Sequence, residues 1–374
     1  MLERPQHGHR AILVGLDFGE SDHSESVDEL RQLSTSAGVE ELVLVGGRRE
    51  RPDPAYFVGS GKVDEIERLA SDLNADVVIF NHDLAPAQQR NLENRFQRRV
   101  VDRTSLILDI FAQRARSHEG KLQVELAQLQ HLATRLKHGW SHLERQKGGI
   151  GLRGPGETQL ETDRRLIGHR MKVLKDKLER VRSQRHIQRR GRERASVLNV
   201  SLVGYTNAGK STLFNALTQA SSYTADKLFA TLDTTTRRIH VGNGVQAVLS
   251  DTVGFIRRLP HTLVAAFRAT LEETVRADLL LHVVDAGHAD HDQQIIEVGK
   301  VLEEIGAGEI PQVLIFNKID LSGDEPAVVV GECGTISRIW VSARERRGLE
   351  SIRTAIREHG HPAEQTQPAL IAAH

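Results

Sequence analysis

The chain has 374 residues, which is too long for one ordinary domain and is typical of two or three. Hydrophobic residues make up 39% and charged residues 27%, a globular composition that excludes wholesale disorder. Lysine plus arginine and aspartate plus glutamate each number 50, so a uniformly basic nucleic-acid coat is excluded, although a local basic stripe is not. The single cysteine excludes an internal disulfide and indicates a reducing, cytoplasmic location. We expect neither a signal peptide nor a membrane span, because no apolar run is long enough for either.

Residues 1–115 alternate short apolar runs with helical patterns. This alternation predicts βαβ units and a small α/β domain with a parallel sheet. Strands are predicted at 11–15, 41–45 and 76–80, and helices at 26–33, 62–73 and 86–96.

Residues 116–195 carry two leucine-rich stripes with alternating spacings of four and three. The first stripe runs from Leu122 to Leu143 and the second from Ile167 to Val181, and the glycine-rich segment 148–156 separates them. Two such stripes across a breaker predict an antiparallel helical hairpin. They are also compatible with two ordinary core helices rather than a protruding arm.

Charge favours a protruding arm. Residues 164–194 contain 13 lysines and arginines against three acids, in a chain whose net charge is zero. Pairing of charges along one helix cannot balance that excess, so a phosphate-rich partner such as RNA is favoured over a merely solvated face. No aromatic residue lies in this stretch, so we expect contacts with backbone phosphates rather than base stacking.

A phosphate-binding loop follows the apolar run 197–203. The pattern G-x-x-x-x-G-K-S comes directly after this predicted strand and before a helical pattern, which is the context that gives the pattern its meaning. Its glycines let backbone N–H groups face one anion, and Lys210 would reach the β- and γ-phosphates while Ser211 would bind Mg²⁺. The predicted nucleotide-binding residues here are Gly204, Tyr205, Thr206, Asn207, Ala208, Gly209, Lys210, Ser211 and Thr212.

Three further strand-end loops follow in the order expected of a guanine-nucleotide site. In the first, Asp251 suits the Mg²⁺ side and the N–H of Gly254 can sense a γ-phosphate. In the second, the Asp320 carboxylate can accept from N1–H and the exocyclic amine of guanine, groups that adenine lacks. The loops are Asp251, Thr252, Val253 and Gly254; Asn317, Lys318, Ile319 and Asp320; and Ser342, Ala343 and Arg344. Residues 196–360 are therefore predicted to be a GTPase domain with helices flanking a parallel sheet, followed by a short tail at 361–374.

The segment between the phosphate loop and Asp251 has the character of a nucleotide-dependent switch. A threonine there can complete the Mg²⁺ shell when GTP is bound. Five threonines could take this Mg²⁺-binding role, and composition does not distinguish among them: Thr224, Thr231, Thr234, Thr235 and Thr236.

Over nearly its whole length the chain resembles the HflX-type GTPases, a ribosome-associated, translation-factor-related family. The resemblance extends beyond the nucleotide motifs to the segments Y-F-V-G-S-G-K-V-D-E-I at 56–66, D-R-T at 102–104, D-I-F-A at 109–112, the predicted loop G-P-G-E-T-Q-L-E at 154–161, and F-A-T-L-D at 229–233.

The resemblance implies GTP hydrolysis coupled to the large ribosomal subunit and its RNA, with splitting or rescue of stalled ribosomes under stress. It selects Thr231 as the Mg²⁺ threonine. It adds Phe229, Ala230, Leu232 and Asp233 to the nucleotide site. The catalytic set becomes Lys210, Thr231, Gly254 and Asn207, the metal set Ser211, Thr231 and Asp251, and we expect a monomer.

The chain departs from the family pattern in ways that bear on turnover. Thr234 stands where the family usually has proline, and Phe255 stands where many GTPases place a water-orienting glutamine. Slow intrinsic turnover and stimulation by a partner are therefore expected. In related GTPases an asparagine at the position of Asn207 helps to hold K⁺, so we hypothesise faster turnover in K⁺, against an asparagine that only bonds its own loop. The alternatives to ribosome binding are a GTPase acting on another RNA, such as tRNA or an assembly precursor, and a non-catalytic RNA-binding adaptor.

Overall fold

The computed structural model describes residues 9–19, 22–138, 155–193, 197–219, 228–242, 244–257 and 271–360. Within these residues the chain forms two compact units. Unit 1 comprises the described residues up to position 185 together with 228–229 and 257, and unit 2 comprises the others. The predicted segments 148–154 and 361–374 lie outside the described residues.

Unit 1 is built on a four-stranded parallel sheet in the order β2-β1-β3-β4. Its strands are β1 (Arg10–Asp17), β2 (Glu40–Arg48), β3 (Val77–Phe80) and β4 (Arg99–Val101). Its helices are α1 (His23–Ala37), α2 (Ser60–Asp72), α3 (Pro86–Phe96), α4 (Arg103–Arg114) and α5 (His118–His138). All six predicted elements are confirmed, while β4 and α4 escaped sequence reasoning.

The central strands of unit 1 are apolar because helices cover both faces of the sheet. All four residues of β3 are buried, and β1 is buried from position 11 to 16. Such continuous apolar runs are typical of parallel strands. The carboxyl ends of β3 and β4 lead into Asn81 and Asp102, which are both buried polar residues.

Helix α6 (Pro155–Glu193) packs on α5 through a small apolar cluster. Its buried members are Leu122, Leu126 and Leu174, with Leu129, Met171 and Leu178 packed against them. These are stripe residues, so the predicted pairing of the two stripes is confirmed where the structure describes it. Leu143 and Trp140 lie outside the described residues.

The predicted loop at 154–161 is wrong from residue 155 onward, because Pro155 begins α6. Proline fits the first turn of a helix, where its missing N–H has no intrahelical partner in any case. The helix therefore extends well before the Ile167–Val181 stripe. Its basic side chains are exposed wherever they are described up to Arg180: Arg164, Arg165, Arg170, Lys172, Lys175, Lys177 and Arg180.

Unit 2 is built on a seven-stranded sheet in the order β10-β11-β9-β8-β5-β7-β6. The central strands are parallel, whereas β10 and β6 pair antiparallel at the two edges. The strands are β5 (Leu198–Gly204), β6 (Thr235–Gly242), β7 (Val245–Asp251), β8 (Leu279–Asp285), β9 (Gln312–Asn317), β10 (Ala327–Val330) and β11 (Ile336–Trp340). The helices are α7 (Lys210–Thr218), α8 (Glu272–Val275), α9 (His291–Ile305), α10 (Ile319–Ser322) and α11 (Leu349–Gly360).

The sheet of unit 2 brings the predicted loops to one edge. Strands β5, β7, β8 and β9 are parallel, so their carboxyl ends lie together, and a crevice at such ends is where open α/β sheets bind ligands. The fold predicted for 196–360, helices flanking a mainly parallel sheet, is confirmed. Among the described residues, no helix has the length and apolarity required to cross a bilayer.

Leu174→Ala is expected to destabilise the packing of α5 on α6 by about 2–5 kcal/mol, because it leaves a cavity at a fully buried position. Hydrogen exchange of the α5 amides measures this local opening. Leu166→Ala is the matched control on the same helix, since Leu166 is 60% exposed. Unchanged α5 exchange in Leu174→Ala would show that the cluster does not hold the two helices together.

Candidate nucleotide site

The phosphate-binding loop joins the end of β5 to the start of α7. Its first and last glycines both have positive φ, +143° at Gly204 and +91° at Gly209. A Cβ on Gly204 would strike the backbone of Val283, and a Cβ on Gly209 would strike the amide of Asn317. Both positions therefore require glycine for conformation and for space. The predicted residues 204–212 thus form one loop and the N-terminus of a helix, which is a favourable place for an anion.

Lys210 is buried against its own loop. Its Nζ donates to the carbonyl oxygens of Gly204 at 3.0 Å and Tyr205 at 2.7 Å. Burial lowers the pKa of Lys210 to about 8, and the nearby charge of Asp251 opposes this shift. The ammonium is thus held at the base of the loop, where a bound phosphate would replace the water that it has lost.

Three oxygen atoms meet beside the start of α7. Ser211 Oγ lies 2.7 Å from Asp251 Oδ2 and 2.7 Å from Thr231 Oγ1, and Thr231 Oγ1 donates to the same carboxylate oxygen at 3.0 Å. Hard oxygen donors are what Mg²⁺ prefers, and these three oxygens lie close enough together to share one ion. Burial raises the pKa of Asp251. The residues present therefore fit a magnesium ion.

Phe255 fixes the position of Gly254. The Phe255 N–H donates to the Gly204 carbonyl at 3.2 Å, and its carbonyl accepts from the Thr206 N–H at 2.7 Å. The side chain is only 1% exposed, so it lies in the interior rather than over the site. A Cβ on Gly254 would come within 3.0 Å of Thr206 and of Lys210 Nζ, so this position also has room only for glycine.

The predicted base-recognition loops are tied together by Asn317. Its amide donates to the carbonyl of Ala208 at 3.0 Å and accepts from the N–H of Ala343 at 2.9 Å. Ser342 Oγ donates to Asp320 Oδ1 at 2.5 Å, which orients that carboxylate. One side chain thereby joins the phosphate loop to the loop that follows β11.

Family models match three consecutive parts of the chain. Residues 24–112 match "GTP-binding GTPase N-terminal", residues 114–192 match "GTP-binding GTPase Middle Region", and residues 199–318 match "50S ribosome-binding GTPase". The GTPase HflX of Escherichia coli is 56% identical over 98% of this chain and 87% of its own length. That of Caldanaerobacter subterraneus subsp. tengcongensis is 46% identical over 95% of this chain and 82% of its own length.

The chain belongs to the GTPase HflX family. It is therefore a GTPase that binds a guanine nucleotide. Among solved structures, SsGBP in complex with GDP matches with a TM-score of 0.51 over 94% of this chain and 98% of its own, at 23% identity, which supports the fold.

Within this HflX chain Thr231, the predicted switch threonine, lies beside the oxygen atoms of Ser211 and Asp251. Among the competing threonines, Thr231 lies at the oxygen cluster with Ser211 and Asp251, whereas Thr235 and Thr236 lie in β6. Thr224 lies outside the described residues. Beside Thr231, Phe229 and Leu232 are buried, and Ala230 and Asp233 are half-buried.

The remaining predicted residues lie on the same edge of the sheet. Asn207 has φ +61° and an exposed side chain at the rim of the phosphate loop. Thr252 donates to the Leu202 carbonyl at 2.6 Å, so its hydroxyl holds β7 to β5. Val253 and Ile319 are buried, and Arg344 is exposed.

Sequence reasoning missed Asp285 as part of this HflX site. Its Oδ2 lies 2.7 Å from Lys318 Nζ, which holds the lysine of the base-recognition loop. The available signal was an aspartate at the end of the apolar run 279–284, a strand that neighbours the phosphate-loop strand. Among the described residues no group of three or more histidine, cysteine or acidic side chains could hold a metal.

We predict proton uptake when GDP binds above pH 8. Lys210 has a pKa of about 8 in the free protein, and the phosphates raise it by favouring the charged ammonium. At pH 8.5 most molecules must therefore gain a proton on binding, whereas at pH 7 the lysine is already protonated. The affinity for GDP consequently falls as pH rises through 8, by at most about tenfold per pH unit.

Calorimetry at pH 8.5 in two buffers with different ionisation heats measures this uptake. Guanosine is the matched control ligand, since it carries the same base and no phosphate to contact Lys210. Equal proton uptake for GDP and guanosine would show that another group titrates.

Proposed function

We propose that this GTPase acts on the large ribosomal subunit and couples GTP hydrolysis to the splitting or rescue of stalled ribosomes under stress. Two findings support the proposal: residues 199–318 match a family described as a 50S ribosome-binding GTPase, and α6 presents an exposed basic surface. An exposed row of lysines and arginines binds phosphate backbones by releasing counterions. The proposal includes a monomeric, cytoplasmic protein.

The observation that carries the catalytic part is the oxygen cluster of Ser211, Thr231 and Asp251 beside Lys210. These three residues would hold Mg²⁺, which supplies positive charge to the phosphates of bound GTP. Lys210 neutralises charge that develops between the β- and γ-phosphates. The Gly254 N–H is positioned by Phe255 to donate to the γ-phosphate.

Base recognition rests on Asp320. Its carboxylate accepts from N1–H and the exocyclic amine of guanine, with Ser342 holding one oxygen in place. The Ala343 N–H donates to Asn317, and this bond keeps the loop of Ser342 and Ala343 against the phosphate loop. The Ser342-Ala343 segment contacts the guanine O6. Adenine would leave the half-buried Asp320 carboxylate without the N1–H and exocyclic amine donors, so the site rejects it.

Phe255 leaves the site without a side chain that could orient water at that position, because it is buried and apolar. Stabilisation of the transition state must then come from elsewhere. We propose that the ribosomal partner supplies it, and that K⁺ held by the exposed Asn207 contributes positive charge.

Purified large subunits are expected to raise GTP turnover on the order of 10³-fold, as when a partner completes a GTPase site. The measurement is phosphate release in KCl and in NaCl at equal ionic strength. Turnover is expected to be faster in KCl, and Asn207→Gly, which fits the positive φ, removes this difference. Lys210→Ala is the negative control. Intact GTP binding with no stimulation would favour tRNA or an assembly precursor as the target.

Reversing four exposed basic residues of α6 is expected to weaken subunit binding and flatten its salt dependence. The variant is Lys172→Glu, Lys175→Glu, Lys177→Glu and Arg180→Glu. Each lost phosphate contact removes about 0.7–0.9 from the slope of log K against log salt concentration. The matched control reverses four exposed arginines elsewhere, namely Arg68, Arg237, Arg238 and Arg338. Equal slopes for the two variants would show that α6 does not face the RNA.

A further inference from the structure

Arg257 lies two residues after Phe255 in the chain. It belongs to unit 1, which holds it at two points. Its guanidinium is 8% exposed and pairs with Asp22 at 3.3 Å and with Glu25, at the start of α1. Its carbonyl accepts from Arg103 Nη2 at 3.1 Å. A residue held through both its side chain and its carbonyl cannot reorient freely.

Arg103 is a buried charge whose two terminal nitrogens donate to three acceptors. Its side chain is 6% exposed and donates to Asn81 Oδ1 at 2.9 Å, to the Glu29 carboxylate and to the Arg257 carbonyl. A guanidinium stays charged at any accessible pH, so the bond to the carbonyl is charge-assisted and stronger than a neutral one. Glu29 lies in α1 and Asn81 directly follows β3, whereas the third acceptor is the Arg257 carbonyl, three residues after Gly254.

Leu228 and Phe229, which precede Thr231 in the chain, are also anchored on α1 and α4. The Leu228 N–H donates to Ser36 Oγ of α1 at 2.9 Å, and the ring of Phe229 packs edge-on against Phe111 of α4 at 4.6 Å. Phe229 has φ +55°, an unfavourable conformation for an aromatic residue that surrounding contacts must maintain. Thr231 of the oxygen cluster follows two residues after Phe229 in the chain.

We propose that Arg103 is a positioning residue for GTP hydrolysis, which it supports by fixing the Arg257 peptide. Phe255 is bonded to Gly204 and Thr206, so the segment 255–257 is fixed at both ends and Gly254 stays next to Lys210. Loss of the Arg103 bond frees one end of this segment. The Gly254 N–H then spends less time in place, which slows hydrolysis without removing contacts to the base or the β-phosphate. The inference rests on the role of Gly254 given under the proposed function.

The test compares single-turnover GTP hydrolysis with GDP affinity in the full chain, without ribosomal subunits, so its result does not depend on ribosome docking. Arg103→Gln is expected to slow hydrolysis per GDP-binding site on the order of 10- to 100-fold, the usual effect of losing a hydrogen bond to a charged group. GDP affinity is expected to stay within about twofold. Arg103→Lys restores part of the rate, since an ammonium still reaches an acceptor.

Arg257→Gln provides a second, independent variant that acts on the same peptide. It is expected to slow hydrolysis in the same way, and the double variant is expected to be slower by less than the product of the two effects, because both act on one element. Arg99→Gln is the matched control, since Arg99 pairs with Asp109 of the same helix α4 at 3.5 Å. If Arg103→Gln does not fold, Arg257→Gln decides alone.

A merely structural role for Arg103 predicts a lower melting temperature with an unchanged rate per GDP-binding site. That result would overturn the proposal, and so would a parallel fall of GDP affinity and hydrolysis. A control Arg99→Gln that slows hydrolysis as much as Arg103→Gln would also overturn it, because general loosening of α4 would then explain the effect.

Discussion

Burial of two opposite charges at one edge of a sheet is the constraint on which the nucleotide site depends. Lys210 and Asp251 both lose most of their water. Lys210 donates to two carbonyls of its own loop, and Asp251 accepts from Ser211 and Thr231. Burial disfavours the charged form of both groups, as the lowered pKa of Lys210 and the raised pKa of Asp251 show. Anionic phosphates and a divalent cation relieve this cost, so the protein has already ordered the groups that the ligand needs.

The glycines of the site follow from the same constraint. Gly204, Gly209 and Gly254 each lie where a Cβ would strike a neighbouring strand, amide or lysine. Close approach of backbone to backbone is what brings the two buried charges, the three oxygen atoms and Asn317 into one place. Phe255 completes this packing, because its main chain bonds the phosphate loop on both sides while its ring fills the interior.

The local features of this chain were predictable from sequence and the long-range ones were not. The phosphate loop, the base-recognition loops and six elements of unit 1 follow from glycine chemistry and apolar periodicity, which act over a few residues. Strand β4 was missed because it has three residues, and Pro155 was assigned to a loop although it begins α6. Composition could not choose Thr231, which the family resemblance selected. The bond from Arg103 to Arg257 joins positions 154 residues apart, and no local pattern indicates it.

The anchoring of Leu228 and Phe229 has a consequence for attempts to shorten this protein. Both side chains are almost completely buried, at 3% and 2% exposure, and Phe229 packs on an aromatic ring from α4. A fragment that starts at residue 197 keeps every nucleotide motif but loses α1 and α4. It would expose the apolar side chains of Leu228 and Phe229. The contacts with α1 and α4 that help to maintain the positive φ of Phe229 would also be lost. Such a fragment would favour self-association over solubility, because the two apolar side chains would face water.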